Sequence, residues 1–126
     1  ALATHQPKIV LLELGANDGL RALPLTAMRD NLDRMIQLAG QSGRKVLLIG
    51  MRMPPNYGPR YTTGFEQIYR ELARKHGVAL VPFLMDKVAD QEALMQADGL
   101  HPNVQGQAQM LSNVWSSLVK LLGPAR

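Results

Sequence analysis

No cysteine occurs among the 126 residues, which excludes a disulfide framework, a cysteine-ligated zinc site and thiol redox chemistry. Aromatic residues are scarce, at one Trp, three Tyr and two Phe, so Leu, Val, Ile, Ala and the seven Met have to fill the core. No apolar run approaches the roughly 20 residues that a membrane-spanning helix needs. The opening Ala1-Leu2-Ala3-Thr4-His5-Gln6-Pro7-Lys8 does not read as a secretory signal. Acidic residues are outnumbered by Lys and Arg, ten to fourteen, for a net charge of +4. That excess is scattered. Adjacent basic pairs stand only at Arg44-Lys45 and Arg74-Lys75, with no basic stripe interleaved with aromatics, so nucleic acid is not an expected partner.

A hydrophobic share of 46% is enough for one domain with a real core. Residues 8–14 form a continuous apolar run bounded by Pro7 and Gly15, the pattern of a strand buried on both faces. Residues 45–51 repeat it, and 78–83 give a shorter third. Helical periods fall between. Met28, Leu32, Met35, Ile36 and Ala39 share one face of a helix near 25–40, with Gly40 and Gly43 suited to its end. Phe65, Ile68, Tyr69 and Leu72 mark a second helix, closed by His76-Gly77. Val104, Ala108, Leu111, Trp115, Leu118 and Leu122 mark a terminal helix capped by Asn103. Strands alternating with helices predict right-handed crossovers and a parallel sheet covered on both sides, one α/β unit over 1–126. Ligands of such sheets sit beyond the carboxyl ends of the strands. Asn17, the stretch 52–60 and residues 84–103 each follow one of those ends.

The densest chemistry lies in Ala97-Asp98-Gly99-Leu100-His101-Pro102-Asn103. A carboxylate three positions before an imidazole, on a turn stiffened by Gly and Pro, can hold Nδ1 and aim Nε2 outward. That is the orienting half of a hydrolytic triad. The plainer reading is an Asp-Gly turn with a His held extended by the following Pro. Upstream, Leu14-Gly15-Ala16-Asn17-Asp18-Gly19 closes a strand with an amide that could donate to an oxyanion. The plainer reading there is a turn in which Gly15 takes an unusual φ and Asn17 or Asp18 caps the segment after it. His76 stands where a helix C-terminus favours a cation, and His5 lies in an irregular lead-in. Asp98 and His101 lack a third ligand at recognisable spacing, so no metal is expected.

Taken in this order, and with Met53-Pro54-Pro55-Asn56-Tyr57-Gly58 between them, these motifs resemble the SGNH/GDSL hydrolase family, in its thioesterase I, lysophospholipase and arylesterase branch. The resemblance implies a flavodoxin-like three-layer α/β/α sandwich of which this chain is the C-terminal part. It implies hydrolysis of carboxylic esters or acyl thioesters, periplasmic or secreted, without a cofactor. His101 would be the base, Asp98 its orienting acid and Asn17 the oxyanion donor. Asp18 would buttress the loop, and Gly19, Leu20 and Arg21 would lie near the acyl group. The proline-rich loop is a stiff crossover, and Met53, Pro54 and Tyr57 would also wall the acyl pocket. Arg21, Arg52 and Arg60 could face a phosphate-bearing substrate, or simply be solvated.

The family's Gly-Asp-Ser segment precedes the Asn motif and is not in this chain. Of the serines, Ser42 follows a helix and precedes a strand, at the wrong end of the sheet, and its surroundings lack the Gly-x-Ser-x-Gly spacing. Ser112, Ser116 and Ser117 ride a helix whose apolar face is expected to be packed. The expectation is therefore a partner segment, the upstream part of the same domain, that supplies the serine to a small acyl substrate. A non-catalytic α/β binding module stays open as the alternative. A nucleotide-binding domain is disfavoured, because no Gly-rich phosphate loop follows any strand.

Overall fold

Three short apolar runs become three parallel strands: β1 (Ile9–Leu12), β2 (Lys45–Ile49) and β3 (Ala79–Val81), side by side in that order. The computed structural model describes residues 2–123. Leu11 lies beside Leu47 and Leu12 beside Leu48, while Leu47 pairs with Ala79 and Ile49 with Val81. Alternation along β2 then divides the core into two layers. Leu48 points into the larger layer, with Met28, Leu32 and Ile36 of α3 (Leu25–Ala39) and Phe65, Ile68, Tyr69 and Leu72 of α4 (Pro59–His76). Leu47 and Ile49 point the other way, onto Val81 and onto Val114 of α5 (Val104–Leu122). Leu47, Leu48, Phe65 and Leu72 are fully buried, each contributing about 1.5–3 kcal/mol from removal of apolar surface from water.

The expected strands and helices form, and each strand stops two residues short of its expected end. Gly77, left-handed, ends α4, and the Asn103 side chain accepts from the Gly106 backbone N–H at 3.0 Å to cap α5. Three departures are informative. Leu2–His5 forms a short helix, α1, where an irregular lead-in was expected. The strand expected over 8–14 is shorter and is not buried on both faces. Among the described residues β1 pairs only with β2, and Leu11 is 45% exposed. The apolar face assigned to the terminal helix is largely open as well. Val114 is buried and Leu118 and Leu121 pack against it, but Leu111 is 63% and Trp115 50% exposed, with Val104 and Leu122 exposed too. The reason is geometric: α5 lies over β2 and β3, so its flank has no packing partner among the described residues. Periodicity registers that a face is apolar, not what covers it.

Away from the strand ends that carry the candidate site, α3 and α4 are stitched by charge. Asp33 takes Lys75 Nζ at 2.8 Å and His76 Nε2, and Arg29 meets Glu71. Lys75 and then His76, as hydrogen-bond donors, hold the Asp33 carboxyl below the usual carboxylate range. A carboxylate depressed by folding stabilises the fold above its unfolded pKa of about 3.9 and loses that contribution as pH falls through the lowered value.

Candidate active site

Parallel strands send their carboxyl ends to one rim, and the segments that follow β1, β2 and β3 all open there. After β1, the chain turns at Gly15 (φ +108°) into the five-residue helix α2 (Ala16–Leu20). A Cβ at residue 15 would stand 2.6 Å from Tyr69 Oη and 3.0 Å from Met28 Cε, so both the left-handed φ and the close approach require glycine. Asn17 lies inside α2 and is exposed. Among the described residues its amide makes no hydrogen bond, and neither it nor Asp18 caps the helix, contrary to the plainer sequence reading. The N-cap position is held by Gly15, which has no side chain to accept from the first-turn N–H groups. Partial desolvation by the surrounding chain pushes the Glu13 carboxyl, just before this turn, upward, although the residue remains exposed.

After β3, residues 84–103 are pinned at both ends. Asn113 Nδ2 donates to the carbonyls of Leu84 and Asp86 at 2.8 and 2.7 Å. Met95 and Pro102 form an antiparallel bridge, closed by Gln96 N to His101 O at 2.7 Å and Asn103 N to Leu94 O at 2.8 Å. The hairpin tip holds Asp98 and His101. One carboxylate oxygen of Asp98 accepts from the backbone N–H of Leu100 and His101 at 2.9 and 3.1 Å, and the other meets His101 Nδ1 at 2.7 Å. The imidazole, and after it the two backbone donors, pull the Asp98 carboxyl down to about 2. Asp98 therefore stays ionised through mildly acidic pH, an acceptor that fixes the proton on Nδ1 and leaves Nε2 with its lone pair outward. The His101 side chain is 69% exposed, and α5, which starts just after it, runs back until Lys45 Nζ reaches Leu121 O at 3.0 Å, at the opposite end of β2. His101 and Asn17 thus share the rim. Ser42 stands at that opposite end, in the turn before β2.

Gly106 sets the height of this hairpin. A Cβ there would stand 2.5 Å from the Leu94 carbonyl oxygen and 2.8 Å from Pro102 Cβ. We predict that Gly106→Ala costs about 1–3 kcal/mol by overpacking. Denaturant titration should give that loss, and the Asp98 and His101 backbone amides should shift in ¹⁵N–¹H spectra while those of α3 stay put.

After β2, Met53 is buried, with its sulfur where a Cβ on Gly19 would come to 2.6 Å, so it underlies α2. Pro54 is half-buried, and Tyr57 Oη donates to the Leu20 carbonyl at 2.7 Å. Arg52 is engaged already, with Glu66 at 3.1 Å and its guanidinium 4.7 Å above the Phe83 ring. Arg21 and Arg60 are exposed. Among the described residues no group of three His, Asp or Glu side chains could hold a metal, and no helix is long and apolar enough to cross a membrane.

The chain is similar in sequence and fold to known proteins. Esterase TesA of Pseudomonas aeruginosa is 46% identical over 121 residues, 96% of this chain and 60% of TesA. Thioesterase 1/protease 1/lysophospholipase L1 of Escherichia coli K12 is 42% identical over 106 residues, 84% of this chain and 51% of that protein. The chain thus spans three fifths or less of these relatives. A crystal structure of the psychrotrophic esterase EstA from Pseudoalteromonas sp., inhibited by monoethylphosphonate, superimposes with a TM-score of 0.90 at 35% identity, over 98% of this chain and 67% of that one. The model of the GDSL-like lipase/acylhydrolase family matches residues 1–109, a span that takes in the Asn17 turn, the proline-rich loop and the Asp98–His101 hairpin together. The chain belongs to the GDSL-like lipase/acylhydrolase family, as those three motifs in that order implied.

Proposed function

We propose that this chain is the C-terminal part of an α/β domain that hydrolyses carboxylic esters or acyl thioesters through an acyl-serine. The serine comes from an upstream segment of the same domain. The observation that carries the reading is the 2.7 Å Asp98–His101 contact, which leaves Nε2 free on the rim onto which Asn17 opens. His101 Nε2 takes the serine proton as Oγ attacks the acyl carbon, and Asp98 stabilises the imidazolium. Asn17 Nδ2 donates to the oxyanion of the tetrahedral intermediate. His101 then returns the proton to the departing alkoxide or thiolate, and activates the water that releases the acid. Gly19, Leu20 and Arg21 flank the acyl group, with Met53 beneath α2 and Pro54 and Tyr57 beside it. The names of the relatives support a small acyl substrate of this kind.

The open edge of β1 supports the second half of the reading. Among the described residues the far edge of β1 is unpaired, with Leu11 exposed on that strand and Leu111, Trp115 and Val119 exposed on α5, and folded proteins normally cover such surface. A strand added there would end on the same rim as Asn17.

Expression of the 126 residues with and without the upstream residues of the gene tests this. The short form should hydrolyse p-nitrophenyl butyrate no faster than free imidazole, and the extended form should show burst-phase acylation and turnover. A burst from the short form would move the nucleophile into this chain. A folded, inactive extended form would favour the binding-module reading.

A further inference from the structure

All three tyrosines of the chain spend their hydroxyls on one stretch of backbone. Tyr69 Oη donates to the Leu14 carbonyl at 2.8 Å, Tyr57 Oη to Leu20 at 2.7 Å, and Tyr61 Oη to Leu23 at 3.0 Å. These acceptors bracket Asn17 on both sides. Tyr61, Phe65 and Tyr69 recur every fourth residue along α4 and so form one stripe. Phe65 meets Tyr69 edge-on at 5.5 Å between centroids, and Tyr57 stacks on Tyr61 at 6.1 Å. The backbone lies flush on this stripe, since a Cβ at Gly19 would stand 2.5 Å from Phe65 Cε2. Beyond α2 the chain takes a left-handed φ of +55° at Ala22, a conformation that persists only where neighbours enforce it. Tyr61 holds the next carbonyl.

We propose that these hydroxyls are positioning groups for the oxyanion loop: Tyr69 sets where Asn17 stands, and Tyr57 with Tyr61 sets the lip at Gly19–Arg21. The proposal rests on the oxyanion reading of Asn17. It predicts a division of labour. Loss of the Tyr69 hydroxyl frees the carbonyl three residues before Asn17, and misplacement of a donor acts in the transition state, on kcat. Loss of the Tyr57 hydroxyl frees the lip against which the acyl group lies, and acts on KM.

The test uses the extended, active protein, assayed well below its melting temperature. Tyr69→Phe should lower kcat about tenfold with KM unchanged, within the range expected of displacements of about 1 Å. The ¹⁵N side-chain amide signals of Asn17 should shift or broaden. Tyr57→Phe should raise KM several-fold with kcat within about twofold. In an Asn17→Ala background, Tyr69→Phe should cost nothing further. A Tyr69→Phe effect that multiplies undiminished with Asn17→Ala, or a Tyr69→Phe enzyme with wild-type kcat while Asn17→Ala is slow, would overturn the clamp alone. A fully active Asn17→Ala enzyme would remove the oxyanion reading, and the proposal with it.

Discussion

Asp98→Asn, in the protein that carries its upstream serine, should lower kcat by about 10⁴, and His101→Ala should abolish turnover. The asparagine keeps one carbonyl oxygen, which can still accept from the Leu100 and His101 backbone N–H groups that shape the hairpin. Its other atom becomes an amide donor facing Nδ1. The ring then favours the tautomer with its proton on Nε2, and the base points its proton at the nucleophile. Steady-state kinetics with p-nitrophenyl butyrate, alongside thermal melting, checks this: kcat should collapse while the midpoint stays near that of the parent. A loss below tenfold would show that Asp98 serves the turn and not the base.

Asn17→Ala should lower kcat by roughly 10²–10³ and leave KM nearly unchanged, because an oxyanion donor acts chiefly in the transition state. The structure sharpens this prediction. Asn17 lies within α2, exposed, and caps nothing, while alanine is the better helix former. Stability should therefore hold or rise as activity falls. A variant that melts early yet keeps its kcat per folded molecule would make Asn17 a structural residue.

Much of this was legible in the sequence because its causes are local. The three apolar runs became the three strands, the His76-Gly77 stop and the Asn103 cap stand where their residue types put them, and the Asp98–His101 contact follows from a three-residue spacing on a stiff turn. What was illegible depends on distance or on partners. The tyrosine hydroxyls reach acceptors 37 to 55 residues away, and no spacing along the chain encodes that; Tyr69 reads simply as another core position. The pairing of Asp33 with Lys75 and His76 is hidden for the same reason. The exposure of Leu11 and Trp115 is illegible for a different one, since an apolar stripe looks alike whether covered or open.

The measurement that bears most directly on the whole account is a crystal structure of the extended protein after reaction with an alkyl p-nitrophenyl phosphonate. The expected result is a phosphonylated serine on a strand paired with the edge of β1 that is unpaired among the described residues. A phosphonyl oxygen should lie within hydrogen-bond distance of Asn17 Nδ2, and His101 Nε2 within reach of the serine Oγ. An adduct on another nucleophile, or one whose oxygen is held by other donors with Asn17 turned away, would contradict it.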